Sequence, residues 1–263
     1  MNQGRVVASV KTFTSLVISM MLMVSLVAAD DFDTLAEKVV FQDIEGLKEL
    51  LASGMDVDAR SEQTGGTVLM LACSYQDFEN VIELLLENGA DVHARSNDGR
   101  TALIWAAARS LQAVEMLLER EADVNVTAND GMTALIHAVM GVLSESVSVE
   151  VPELLLAEGA DVNAQLTGEG IKGWTALMFA TSGEQPKLVE FLLANGAEVD
   201  AQAADGKSAL MMACENGDRK TVDVLLAAGA DVTLENEAGE TALSLAQIHD
   251  HTAIVNALRK KEP

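Results

Sequence analysis

Basic side chains are scarce in this chain: 17 Lys and Arg stand against 41 Asp and Glu, a formal net charge of −24. So acidic a surface is repelled by phosphate backbones and by anionic lipid, which argues against nucleic-acid and membrane-surface roles. A basic protein partner would instead be steered toward it. Cysteine is nearly missing, with Cys73 and Cys214 alone. Aromatic anchors are almost as rare, with one Tyr and two Trp. The residues able to concentrate binding energy can therefore be named one by one. Neither a nucleophile–base pair nor a paired-carboxylate signature can be read, so the chain is expected not to be an enzyme and to use no cofactor, metal or small-molecule substrate.

Charge itself is missing from one stretch. Met1 to Lys11 carries Arg5 and Lys11 and no acid, and Phe13 to Ala29 then runs 17 residues without a charge. The run ends in Val27-Ala28-Ala29, and acid begins at once with Asp30-Asp31. A basic region, an apolar region and a small-residue cleavage site in that order identify residues 1–29 as an expected signal peptide. No Cys follows the run, so nothing points to a lipid-attached N-terminus. A membrane helix needs ~20 residues, and retention of residues 13–29 as an anchor is the alternative. Cleavage would remove two bases and no acid, which takes the net charge from −24 to −26. The chain is accordingly expected to be exported, to a periplasm if the source is bacterial and otherwise secreted.

Beyond residue 30 one phrase recurs: Thr67-Val-Leu-Met, Thr101-Ala-Leu-Ile, Thr133-Ala-Leu-Ile, Thr175-Ala-Leu-Met, Ser208-Ala-Leu-Met and Thr241-Ala-Leu-Ser, at spacings of 34, 32, 42, 33 and 33 residues. A second phrase follows in step, as in Gly159-Ala160-Asp161-Val162-Asn163, with leucine runs such as Leu84-Leu85-Leu86 between the two. These phrases resemble the ankyrin repeat, whose period is about 33 residues and whose signature is T-P-L-H-x-A. The resemblance covers about residues 34 to 260. It implies an all-α solenoid of about seven helix-turn-helix units with short hairpin fingers. Residues 30–60 would be an N-terminal capping unit, 61–235 five internal repeats, and 236–263 a C-terminal capping unit. Thr or Ser before each apolar run can cap a helix, and glycines such as Gly89 and Gly229 suit the left-handed residue that ends one.

The chain departs from the family pattern in several places. The Pro after Thr is Val or Ala throughout, and the His is Met, Ile or Ser. In the third unit Glu121 replaces the terminating glycine, which should cost about 1 kcal/mol if the backbone stays left-handed. That unit is also one residue short, so the turn near Ala108-Arg109-Ser110 must be altered. The fourth unit carries insertions near residues 141–151 and 165–173, which in a solenoid map to loops, often on a binding face.

Other motifs dissolve in this register. Gly168-Glu169-Gly170-Ile171-Lys172-Gly173 matches a dinucleotide-loop pattern, but the residues before it form an ankyrin finger and not a buried strand. Asp123-Val124-Asn125 and Asp161-Val162-Asn163 begin like calcium loops and lack the required sixth-position Gly. His249-Asp250-His251 would diverge if helical. His137 shares its repeat position with Leu71, Trp105, Phe179, Met212 and Leu245 and is expected to be packed. Cys73 and Cys214 sit four units apart at one repeat position, which separates them by roughly 30–40 Å at ~8–10 Å per packed element. Free thiols are therefore expected, since bridgeable Cα atoms lie within ~7 Å.

The resemblance also implies where a partner would sit: on the concave face, at finger tips and the exposed ends of first helices. On this register the candidates are Tyr75, Arg95, Arg100, Arg109, Met132, Trp174 and Lys207, with Trp174 beside the 165–173 insertion preferred. The expected function is an exported, monomeric protein-binding module, an adaptor, scaffold or inhibitor. The alternatives are a membrane-anchored scaffold and an immunity-type inhibitor of a basic exported toxin.

Overall fold

The structure is a computed structural model and describes residues 30–261. The expected signal peptide, residues 1–29, lies outside the described residues, as do Glu262 and Pro263 of the C-terminal unit.

Fourteen helices among the described residues form seven consecutive pairs. They are α1 Asp31–Val40 with α2 Ile44–Ala52, α3 Val68–Cys73 with α4 Glu79–Glu87, and α5 Ala102–Ala106 with α6 Leu111–Glu119. There follow α7 Ala134–Leu143 with α8 Glu150–Ala157, α9 Ala176–Ser182 with α10 Pro186–Ala194, α11 Ala209–Asn216 with α12 Arg219–Ala227, and α13 Ala242–Ile248 with α14 Thr252–Leu258. First helices pack on first helices and second helices on second helices along the stack. The expected all-α solenoid of seven units is what the chain forms.

The recurring Thr or Ser starts each first helix. Its hydroxyl accepts from the amide three residues on: Thr67 from Met70, Thr101 from Ile104, Thr133 from Ile136, Thr175 from Met178, Ser208 from Met211 and Thr241 from Ser244, at 3.2–3.5 Å. A cap of this kind is typically worth about 1 kcal/mol. In the first unit Asp30 performs this task by accepting from Asp33 N, so that helix starts earlier than the Thr34 of the repeat pattern. Behind the caps lies a long apolar core, with Leu47, Leu85, Leu117, Leu155, Leu192 and Leu225 of the second helices at 0 % exposure, and a small second cluster of Met178, Ala203 and Met212 beside Trp174. Cys73 and Cys214 are buried free thiols, as expected. Burial pushes the Cys214 thiol up to about 12 and the Cys73 thiol upward as well.

The third unit's irregularities are all expressed in its backbone. Glu121 keeps the left-handed conformation, with φ of 62° where Gly89, Gly159 and Gly196 have 84–89°. The inter-helix turns of the other six units each contain a left-handed residue: Gln42, Asp77, Glu145, Glu184, Gly217 or Asp250. The turn from Ala106 to Leu111 has none. The space freed by this shorter turn is taken by the fourth unit. A Cβ on Gly141 would stand 2.9 Å from Ala108 Cα and 2.7 Å from Val147 Cγ1, so only glycine lets α7 approach this closely. Residues 144–149 then fold back, and Gln76 of the second unit donates to Ser146 O at 2.8 Å. The first insertion thus bridges the second and fourth units across the shortened third.

Candidate functional site: the finger and inner-helix face

The fingers form a backbone ladder along one edge of the stack. Asn97 N donates to Thr64 O, Asn129 N to Asp98 O, Thr167 N to Asp130 O, Ala204 N to Lys172 O and Glu237 N to Asp205 O, at 2.8–2.9 Å. Tight turns at Gly99, Gly131, Gly206 and Gly239, each with positive φ, set the tips. The fourth-unit insertion extends its finger without breaking the ladder. Leu166 N donates to Trp174 O and Gly173 N to Leu166 O, which closes residues 167–172 into a longer tip with Leu166 buried at its base. The Gly168–Gly173 stretch is therefore a finger loop.

In two units the residue just before the cap lies over the fifth residue after it. Arg100 covers Trp105 at 5.5 Å from guanidinium to ring, and Trp174 packs on Phe179 with ring centroids 5.0 Å apart. Lys207, at the same repeat position, pairs with Glu215 at 2.6 Å. The inner row that these residues overlie runs Leu71, Trp105, His137, Phe179, Met212 and Leu245, with Trp105 and His137 edge to face at 6.0 Å. His137 Nδ1 donates to Ile104 O at 2.5 Å. Burial, helped by the nearby Arg100 and Arg109 cations, lowers the His137 pKa to about 4, so this imidazole is neutral near pH 7.

The seven candidate contacts separate into three kinds. Arg100 and Met132 are buried, at 7 % and 8 % exposure, so neither offers a side chain to a partner. Arg100 is held by Asp98 and by Asp130, the latter at 2.6 Å, and stacks on Trp105. Burial opposes ionisation of Asp98, but the Ser96 hydroxyl and Arg100 overcome it and hold its carboxyl below the usual range. Arg95 is exposed but committed, its Nη2 donating to Thr127 O of the next finger at 2.6 Å. Tyr75, Arg109, Trp174 and Lys207 are half-buried on this face. Tyr75 stacks on Phe78 at 4.8 Å.

Reading the sequence missed the residues that tie one finger to the next. Arg60 donates to Gly65 O and Arg95 O, and Gln202 to Glu235 O. It also missed why Asp-x-Asn recurs. Asn125 accepts from Asp161 N and Asn163 from Glu198 N, both at 2.8 Å, while their amides donate to Gly159 O and Gly196 O. Asp58 and Asp200 accept likewise from Asp91 and Asp231. The pattern joins neighbouring loops, and its recurrence at one repeat position, at Asp58, Asn125, Asn163 and Asp200, was the available signal. One expectation needs correction. His249 and His251 do not diverge; they flank a left-handed Asp250 in a turn and not on a helix, and their rings lie nearly parallel at 6.0 Å. His251 Nε2 reaches Glu215 O at 3.2 Å and its ring rests over Gly217. Among the described residues no group of three or more His, Cys, Asp or Glu side chains is arranged to hold a metal, and no helix is long and apolar enough to cross a membrane.

A family model described as ankyrin repeats (3 copies) matches five overlapping stretches, residues 35–128, 81–165, 122–203, 142–236 and 177–263. The chain belongs to the ankyrin-repeat family. It is 32 % identical over 167 residues to the SH3 and multiple ankyrin repeat domains protein 2 of Homo sapiens, covering 63 % of this chain and 8 % of that one. It is 43 % identical over 63 residues to the nuclear factor NF-kappa-B p105 subunit of Gallus gallus, covering 24 % and 6 %. The chain thus spans less than a tenth of the length of these curated relatives. The crystal structure of the ankyrin repeat domain of Bcl-3 superposes with a TM-score of 0.71 at 29 % identity, over 88 % of this chain and all of that one. Ankyrin repeats are, as a family, generally protein–protein interaction modules.

Proposed function

We propose that this ankyrin chain is an exported, monomeric module that holds one protein partner, as adaptor or inhibitor, on its finger and inner-helix face. The observation that carries the reading is the set of half-buried Tyr75, Trp105, Trp174, Arg109 and Lys207 on that face, in a chain with one Tyr and two Trp in all. Tyr, Trp and Arg are the residues in which interfaces concentrate their energy. The charge of −24 favours a partner that is basic around its contact surface. Export rests on the basic, apolar and small-residue order of residues 1–29, with cleavage after Ala29.

Affinity capture of the purified chain against extract of its own source, with a Tyr75→Ala, Trp174→Ala double variant alongside, tests the binding claim. One protein retained by the unaltered chain and lost by the variant is the expected result; equal retention by both would contradict it. Intact-mass measurement of the chain isolated from its source tests export. A start at Asp30 is expected, and an intact N-terminus in a membrane fraction would favour the anchored scaffold.

A further inference from the structure

We infer that Arg109 is a receptor for a single carboxylate presented by the partner, a subsite within the binding face proposed above and dependent on that reading. Arg109 stands in the shortened turn of the third unit, half-buried, with its Nε fully buried and without a hydrogen-bond partner. Among the described residues no carboxylate lies within ion-pair distance of its guanidinium. This holds in a chain that carries 41 acids. The contrast with Arg100 is chemical: Arg100 is neutralised by Asp98 and Asp130 and spread over Trp105. The acid reaching the next residue, Glu79, accepts from the Ser110 hydroxyl.

The surroundings keep Arg109 unpaired. Its neighbour Ala108 lies close against Gly141 of the fourth unit, which walls the shortened turn on that side. His137, near enough for the Arg109 charge to act on it, is neutral and already donates to Ile104 O. A guanidinium partly withdrawn from water, with its Nε buried and no acceptor beside it, is costly unless a partner supplies one. Its planar fork is matched by a carboxylate, which it can bind through two parallel hydrogen bonds. The rest of the surface repels acid, so the carboxylate must stand alone among basic or apolar residues of the partner.

A displayed random-peptide library selected on the purified chain is the test. Enriched peptides should share one Asp or Glu among basic and apolar residues. Affinity of a synthesised winner should fall roughly 10- to 100-fold with Arg109→Gln, partly recover with Arg109→Lys, and show no further loss when its acid is changed to the amide. The free Arg109→Met chain should melt higher by roughly 2–4 °C, because an apolar stem replaces an unpaired buried donor; a lower melting temperature would assign Arg109 a structural role and overturn the subsite. Winners that lack an acid, lost on Trp174→Ala and indifferent to Arg109→Gln, would overturn the subsite and leave the binding face standing. A selection without winners would overturn both.

Discussion

The third and sixth units share one blueprint and differ at nearly every place where that blueprint is demanding. The sixth has a Ser208 cap, a left-handed Gly217 in its inter-helix turn, a left-handed Gly229 at its end, and Asp200 in the preceding loop accepting from Asp231 N. The third keeps the Thr101 cap, has no left-handed turn residue, forces Glu121 to a φ of 62°, and follows a loop in which His93 replaces the Asp or Asn acceptor. A solenoid unit contacts its neighbours alone, so a local defect can be repaired next door without disturbing the rest. Here the repair is the fourth unit's insertion, which fills the space over Ala108 and reaches Gln76. The irregular part of the stack is also where Tyr75, Trp105, Arg109 and His137 gather.

The largest effect that would break this contrast is a pH effect at His137. Its folded pKa of about 4 lies below the ordinary 6.5. As pH falls from 6.5 toward 4 the unfolded chain takes up the proton first, so stability is full above 6.5 and is lost on acidification through that window, by about 3 kcal/mol at about 1.4 kcal/mol per pH unit. Urea unfolding at pH 7 and pH 4 should show this loss for the native chain and a loss smaller by that amount for His137→Leu. Identical losses would place His137 in water.

Next comes Gly141→Ala. In an ordinary helix interior it would stabilise; pressed against the Ala108 backbone it should instead destabilise by about 1–3 kcal/mol, read as a lower urea midpoint. A gain would mean that the insertion does not clamp the third unit.

The smallest changes restore the blueprint. Glu121→Gly should gain about 0.5–1 kcal/mol by relieving the left-handed glutamate. His93→Asn should gain about 0.5–1 kcal/mol by returning the acceptor that the other loops offer. Neutral results for both in thermal melts would show that the third unit has adjusted in other ways.

The units, caps and finger turns were legible because each is a local rule repeated in register: hydroxyl before an apolar run, glycine after a leucine pair, Asp-Gly at a tip. Glu121 could be named as a strained residue for the same reason. What a single unit cannot encode was not legible. That Arg100 would be buried between Asp98, Asp130 and Trp105 depends on the neighbouring finger, and so does the burial of Met132. The insertion near 141–151 read only as a loop because its contacts, Gly141 with Ala108 and Ser146 with Gln76, reach other units. His249 and His251 were misplaced because the helix ends one residue before the turn that aligns their rings.

Amide hydrogen exchange of the ankyrin chain, free and with its captured partner, tests the central claim most directly. Slowed exchange should concentrate in the fingers and first helices from Tyr75 through the Trp174 finger, with little change in α12 and α14. Protection confined to the second helices, or to the C-terminal units, would contradict a partner held on the inner-helix face.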